Sequence, residues 1–169
     1  MALFSQELHG LNDLFVNQLG DLYDAETRLT EALPKMAKAA TAQPLKNAFQ
    51  EHLAQTQTHI RRLEQVFQRL GKEPNRETCE AMKGLIKEGQ EMIDAKGDDD
   101  TRDAGLIAAA QRVEHYEIAG YGTVRTFARQ LGLDDVASIL QQTLGEEGET
   151  DKKLTQIAES FVNPQAPIH

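Results

Sequence analysis

Residues 102–131, RDAGLIAAAQRVEHYEIAGYGTVRTFARQL, contain no proline and read as one long amphipathic helix. Its inward face follows two seven-residue series, Ile107, Glu114, Tyr121 and Ala128, and Ala110, Glu117, Val124 and Leu131. A seven-residue repeat of this kind is typical of the inner seam of a helix bundle. Burying a carboxylate costs several kcal/mol unless it is paired, protonated or bound to a cation. The acidic pair Glu114 and Glu117 therefore requires partners from other helices.

The composition is that of an ordinary globular protein. The chain has 169 residues, of which 40% are hydrophobic and 27% are charged. A chain of this size can bury a real core without disulfides. We expect one domain over residues 1–162, followed by a flexible tail over residues 163–169. The formal net charge of −9 argues against nucleic acid or an anionic membrane as a partner, because both attract basic surfaces.

Cysteine content and the N-terminal sequence predict a cytoplasmic protein. Cys79 is the single cysteine, so it has no intramolecular disulfide partner, which favours a reducing compartment. The first ten residues, MALFSQELHG, lack a basic stretch followed by an apolar run, and we expect no signal peptide. No apolar segment approaches the roughly 20 residues that span a bilayer.

The apolar residues repeat with a helical period throughout the chain, which predicts an all-α fold. We expect five helices, at about residues 5–40, 45–70, 76–96, 102–131 and 134–161. Ser5 is a candidate N-cap of the first helix. Pro34 should kink this helix or thin its last turns, and Pro44 fits the start of the second helix. The acidic run at residues 98–100 is interpreted as a solvated loop whose charges favour the start of the fourth helix.

The helices predict two antiparallel hairpins, one made of the first two helices and one of the last two. A long connection containing the shorter third helix joins them, which gives a four-helix bundle with a crossover. When each hairpin is reflected across its turn, Glu26 falls opposite His59, and Glu117 falls between Glu147 and Asp151. The polar interruptions of the seams therefore fall in one layer near the middle of the bundle.

The composition of this layer is that of an iron or manganese site. A closed zinc site would favour thiolates or more imidazoles, and two divalent ions would neutralise about four carboxylates. His52 and His59 lie about 10 Å apart along the helix axis, so we expect that they do not both bind one ion. His59 is level with Glu26 and is the better ligand. His52 is either a hydrogen-bonded core residue or a ligand, and it could lie behind the ligands or face an access channel.

Three aromatic or imidazole side chains near the layer allow two interpretations. Tyr121 lies one turn from Glu117, and Tyr23 lies one turn from Glu26. We favour plain core packing for both tyrosines, with a hydroxyl group that holds a ligand carboxylate as the alternative. His115 points about 100° away from the seam, which favours a surface position.

Four segments of the chain resemble the YciF/YciE group of bacterial ferritin-like stress proteins. They are GDLYDAE (20–26), HLAQTQTHIRRLEQVF (52–67), GLIAAAQRVEHYEIAGYGTV (105–124) and TLGEEGETDKKL (143–154). The resemblance covers nearly the whole chain. It implies a ferritin-like bundle with a di-iron centre, an association with stress responses, and a homodimer.

The ligand pattern departs from the one that ferritin-like di-iron proteins share. That pattern is one Glu on each of two helices and Glu-x-x-His on each of two others. Here the second helix offers Thr56-x-x-His59, with Gln55 as the nearest replacement for the acid. The fifth helix offers Glu147-x-x-Thr150, with Asp151 one place later, and the fourth helix offers two acids where one is expected.

We therefore expect a carboxylate-bridged di-iron centre, with manganese as the alternative metal, that reacts with O₂ or peroxide. The expected metal ligands are Glu26, His59, Glu114, Glu117, Glu147 and Asp151. Residues that could support these ligands from behind are His52, Gln55, Tyr23 and Tyr121. Two other functions stay open: a non-catalytic, stress-induced interaction module, and iron storage or DNA protection by a mini-ferritin-like cage.

Overall fold

The computed structural model describes residues 8–168, and all regular structure among them is helical. The helices are α1 (Leu11–Ala39), α2 (Gln43–Arg69), α3 (Glu80–Asp94), α4 (Asp99–Gln130) and α5 (Asp134–Ile157), and a π-helical segment, Ala158–Val162, continues α5. The predicted all-α bundle with a shorter third helix is confirmed. Within the described range, no helix is both long enough and apolar enough to cross a membrane.

The four long helices pack as a square. The hairpins α1–α2 and α4–α5 form two of its sides, and the contacts of α1 with α4 and of α2 with α5 form the other two. The shorter α3 packs on the outside, against α1 and α4. The crossover therefore covers one face of the square and leaves the α2–α5 face without a covering helix.

Helix starts differ from the prediction in the first and fourth helices. Residues 8–10 are not helical, so α1 starts at Leu11, and the proposed cap Ser5 lies outside the described residues. Pro34 lies within α1, which continues past it to Ala39. The acidic run is not a loop, because the side chain of Asp98 accepts a hydrogen bond from the Thr101 N–H and the helix starts directly after it.

The third helix is also shorter than predicted. It starts at Glu80 rather than near Arg76, and the sulfur of Cys79 accepts a hydrogen bond from the Met82 N–H at its start. The predicted glycine ends are confirmed, since Gly71 and Gly132 follow α2 and α4 with φ of 66° and 74°. This left-handed backbone conformation favours glycine after a helix.

Two apolar clusters fill the inside of the square, one toward each end. The cluster on the side of the α1–α2 turn includes Leu29, Leu33, Leu45, Phe49 and Leu106. The cluster on the side of the α4–α5 turn includes Phe15, Leu19, Phe67, Val124 and Leu140. A polar layer lies between the two clusters, and apolar side chains therefore border it on both sides.

A buried carboxylate on α4 fixes the α1–α2 turn. Asp103 is fully buried, and its oxygens accept hydrogen bonds from the N–H groups of Thr41 (3.0 Å) and Ala42 (2.7 Å). The Thr41 hydroxyl donates a further bond at 2.8 Å. One side chain thus satisfies backbone donors that the turn would otherwise leave without partners.

Candidate metal centre

Four carboxylates and two imidazoles meet in the polar layer of the bundle, and all four long helices contribute to them. None of these residues is more than 2% exposed. They are Glu26 of α1, His52 and His59 of α2, Glu114 and Glu117 of α4, and Glu147 of α5.

The layer contains two groups of side chains with the spacing of metal ligands. Within each group, one potential ligand atom per residue lies within 4.8 Å of those of the other members. We call them the His52 half, made of His52, Glu114, Glu117 and Glu147, and the His59 half, made of Glu26, His59 and Glu147. Glu147 belongs to both halves, so its two oxygens are placed to bridge two ions.

The His52 half presents the Nε2 atom of His52 to carboxylates. This atom lies 3.2 Å from Glu114 Oε1 and 3.8 Å from Glu147 Oε2. On the other side of the ring, Nδ1 lies 3.2 Å from the amide oxygen of Gln55, which also accepts a hydrogen bond from Thr150 at 3.3 Å. Because an amide oxygen only accepts, Nδ1 carries the proton of neutral His52 and Nε2 keeps a free lone pair.

The His59 half is arranged the other way round, with Nδ1 facing the carboxylates. Nδ1 of His59 lies 3.2 Å from Glu26 Oε1 and 3.0 Å from Glu147 Oε1. Nε2 donates a hydrogen bond to Glu146 at 2.8 Å, and Arg62 binds the same carboxylate through two hydrogen bonds of 2.6 and 2.8 Å. A carboxylate behind a metal-binding histidine fixes the orientation of the ring and makes it a better ligand.

Burial determines the protonation of the layer. Desolvation raises the pKa of Glu26 to about 7, although its contact with His59 acts in the opposite direction. Desolvation and neighbouring carboxylates raise the pKa values of Glu114 and Glu117 well above their usual range. Burial acts to lower the pKa of His59, but the carboxylates of Glu147 and Glu26, 3.0 and 3.2 Å from Nδ1, raise it to about 11. Glu26, Glu114 and Glu117 can therefore be ionised together only if a cation compensates their charge.

The donor atoms of the layer fit a pair of divalent cations. Several buried oxygen and nitrogen atoms have no hydrogen-bond partner of good geometry: Glu26 Oε2, His52 Nε2, His59 Nδ1, Glu114 Oε2, and both carboxylate oxygens of Glu117 and of Glu147. Buried polar atoms in proteins are nearly always partnered, and a cation is a partner that all these atoms accept. The four carboxylates carry a charge of −4 when ionised, which two divalent ions would balance. Oxygen-rich ligands with two imidazoles suit iron or manganese.

Asp151, expected among the ligands, does not belong to either half. Its carboxylate accepts a hydrogen bond from Gln111 at 3.0 Å and lies 3.3 Å from the exposed ring of His115. The position four residues after Glu147 is rotated by about 40° around the helix, which turns Asp151 toward the outer edge of the α4–α5 pair. His115 has the surface position that was predicted for it.

The two tyrosines near the layer have different roles. The hydroxyl of Tyr121 donates a hydrogen bond of 2.6 Å to Glu26 Oε1, so it holds a candidate ligand rather than only packing. Tyr23 donates instead to Glu64 at 3.0 Å, on the exposed side of the α1–α2 pair. Of the two hydroxyl groups, that of Tyr121 thus contacts a carboxylate of the layer, and that of Tyr23 contacts a carboxylate outside it.

The sequence reasoning missed Arg62 and Glu146, the pair that holds His59. A signal for Arg62 was present, because it lies one turn after His59 on the same helix face. Glu146 directly precedes Glu147, and adjacent residues on a helix point about 100° apart, so Glu146 lies off the seam on which the ligands were sought.

Comparisons with known proteins agree with this fold. Residues 10–167 match the family described as Domain of unknown function (DUF892). Protein YciF of Escherichia coli (strain K12) is 47% identical over 160 residues, which cover 92% of this chain and 95% of that protein. The crystal structure of this E. coli stress protein superposes with a TM-score of 0.90 at 45% identity, covering 94% of this chain and all of the other.

Two further solved structures extend the comparison. YcfI of Rhodopseudomonas palustris is 43% identical, with a TM-score of 0.89 over 92% of this chain and 99% of that one. A Bacillus anthracis protein described as ferritin-like and diiron-carboxylate has a TM-score of 0.66 at 17% identity, over 89% of this chain and 99% of that one. At this low identity the similarity is one of fold, and the fold is that of the ferritin-like helical bundle.

Proposed function

This chain belongs to the DUF892 family, and we propose that it is a ferritin-like protein that binds a carboxylate-bridged pair of iron ions in its buried layer. The bound iron would react with O₂ or peroxide in a stress response. The observation that carries the proposal is the position of Glu147, which is shared by two ligand groups that each contain one histidine. Manganese is the alternative metal. We further propose that residues 1–162 act as one unit and that the protein is a homodimer.

Each residue of the layer has a distinct part in this proposal. Glu26 and His59 would hold one ion, the carboxylates of α4 with His52 would hold the other, and Glu147, which belongs to both halves, would contribute to both. Bound ferrous ions would supply one electron each, so that one peroxide with two protons yields two water molecules. Tyr121 and the Arg62–Glu146 pair keep Glu26 and His59 in place. The apolar clusters above and below exclude bulk water, which strengthens every charge interaction within the layer.

Metal titration of the apoprotein tests this proposal. Anaerobic addition of Fe²⁺ should give two ions per chain, and later addition of O₂ or H₂O₂ should produce a near-ultraviolet absorption band. Binding to the folded state alone should stabilise it by about 2.7 kcal/mol for each ion bound at a free metal concentration of 100 Kd, seen as a higher melting temperature. If no metal binds and the melting temperature is unchanged, the proposal is wrong and the non-catalytic interaction module becomes the better interpretation.

Size-exclusion chromatography distinguishes the proposal from iron storage. Storage requires a hollow cage of many chains, whereas the proposed di-iron reaction is complete within one bundle. We expect the elution volume of a dimer. A particle of cage size that takes up many iron ions per chain would favour storage instead.

The stability of the apoprotein should fall as the pH rises from 6.5 to 8. The pKa of Glu26 in the fold is about 7 against an ordinary value of 4.5, and those of Glu114 and Glu117 are raised as well. In this range the unfolded chain has released these protons while the folded chain keeps some of them, so the free energy of unfolding decreases with pH. His59, with a pKa of about 11, contributes in the same direction because its stabilisation is complete only below pH 6.5.

The expected slope reaches about 1.4 kcal/mol per pH unit for each proton retained by the fold. Thermal melts of metal-free protein at several pH values measure it, and Glu117→Gln should flatten the dependence. The stabilisation by metal should show the opposite trend and increase with pH, because metal binding requires ionised carboxylates. A melting temperature of the apoprotein that rises over this range would contradict the protonation pattern.

A further inference from the structure

A cavity of about 70 Å³ leads from the protein surface to the His52 half of the layer. It lies between α2 and α5, on the face of the square that α3 does not cover. His52 and Glu114 line its inner end, and Glu51, Glu149 and Lys153 line its outer end. The side chains at the outer end are half-exposed to exposed, so the cavity opens to solvent there.

The two halves of the layer differ in their access to this cavity. The residues that belong to the His59 half alone, Glu26 and His59, do not line it, and both are completely buried. On the outer side of His59, the hydrogen bond to Glu146 and the ion pair of Glu146 with Arg62 occupy the space between α2 and α5. The His52 half is therefore the half that a small molecule in the cavity contacts.

We propose that this cavity is the route by which metal ions and the oxidant reach the centre, and that it restricts the oxidant to O₂ or H₂O₂. The inference rests on the proposed metal centre. At about 30 Å³ for each water molecule in the liquid, the cavity holds two or three waters. One O₂ or H₂O₂ is within this size, and we expect a hydroperoxide that carries a butyl group to be too large.

An ion pair lies across the outer end of the cavity. Lys153 of α5 binds Glu51 of α2, and both residues line the cavity. This pair connects two helices that belong to different hairpins, so it narrows the opening through which a hydrated cation must pass. Removing the ion pair should widen the opening and speed metal uptake. The fold should tolerate this change, because surface ion pairs of this kind are weak.

Paramagnetic relaxation by dissolved O₂ tests the route in the metal-free protein. We expect O₂ under pressure to relax the ring protons of His52 more strongly than those of His59 in the NMR spectrum. The measurement requires no metal and no turnover, so it remains informative if the proposed metal centre is wrong. Equal relaxation of the two rings would overturn the proposed route.

A variant that fills the cavity tests the route kinetically. Ala48 is buried and lines the cavity, and Ala48→Leu should slow Co²⁺ uptake, followed by visible absorption, by about tenfold. The matched control is Ala37→Leu, which fills a separate groove between α1 and α2 and should leave the rate unchanged. Uptake by Ala48→Leu at the wild-type rate would overturn the route. If wild-type protein binds no Co²⁺, Fe²⁺ or Mn²⁺, the proposed metal centre is wrong, and the proposed route for metal ions is wrong as well.

Two comparisons complete the test. Lys153→Met should speed Co²⁺ uptake, whereas Lys83→Met, which removes an equally exposed lysine of an ion pair on α3, should not. Iron-loaded protein should be oxidised by H₂O₂ at least about tenfold faster than by tert-butyl hydroperoxide after correction for the rates with free Fe²⁺. Equal rates with the two peroxides would overturn the size limit.

Discussion

Glu147→Gln is expected to abolish binding of the metal pair while the bundle still folds. Glu147 is the ligand that the two halves share, so its replacement removes a charged ligand from both ions at once. We expect the affinity for each ion to fall at least about a hundredfold, since even residues behind the ligands contribute 10 to 100-fold. Metal content per chain after equilibrium dialysis measures this loss.

The matched control is Glu149→Gln on the same helix, because Glu149 is exposed and pairs with Lys152. It should bind two ions per chain as the wild type does. The metal-free Glu147→Gln protein should still fold, because the amide has the shape of the carboxylate and Glu26 remains 3.2 Å from the ring of His59. Full metal binding by Glu147→Gln would contradict the bridging position of this residue.

Asp103→Ala is expected to cause a large loss of stability, although Asp103 lies outside the polar layer. The substitution removes the acceptor of the N–H groups of Thr41 and Ala42 and of the Thr41 hydroxyl, and it empties the fully buried position of the carboxylate. Thr41 itself is exposed, so water replaces part of the lost bonding. Hydrogen bonds to a charged acceptor contribute about 1.5–3 kcal/mol each, so we expect a total of about 3–5 kcal/mol. For a chain of this size that lowers the melting temperature by about 6–20 °C.

Two control variants separate the carboxylate from its surroundings. Asp99→Ala removes an exposed acid that pairs with Arg102 at the start of the same helix and should change the melting temperature little. Thr41→Val removes only the hydroxyl bond and should cost about 1 kcal/mol. A shift for Asp103→Ala no larger than that for Thr41→Val would show that the backbone of the turn finds other partners.

The helices were predictable because their signals are local. The seven-residue series of α4, the glycines after α2 and α4, and Pro44 at the start of α2 each act within a few residues of chain. The errors lie where side chains decide the ends of helices. Cys79 and Asp98 accept hydrogen bonds from backbone groups at the starts of α3 and α4, and such capping depends on side-chain rotamers that periodicity does not reveal.

The height of the polar layer also followed from the sequence, since an antiparallel hairpin fixes which residues lie opposite each other. The reflection placed Glu26 opposite His59, and their side chains are 3.2 Å apart. The direction in which each side chain points did not follow from the sequence. Residues four positions apart on a helix point about 40° apart, and this difference decides which neighbouring side chain each of them contacts. That difference excludes Asp151 from both ligand groups and makes His52 a member of one.

The sequence by itself determined that this protein is a bundle of helices with acids and imidazoles at one height in its core, because apolar periodicity and hairpin geometry are properties of the chain. Only the tertiary structure decided how those groups are shared between two halves. Glu147 joins both halves, Gln55 and the Arg62–Glu146 pair orient the two histidines, and the cavity between α2 and α5 reaches only one of them. These features depend on the packing of helices from different hairpins, which brings together residues that are about 90 positions apart in the chain.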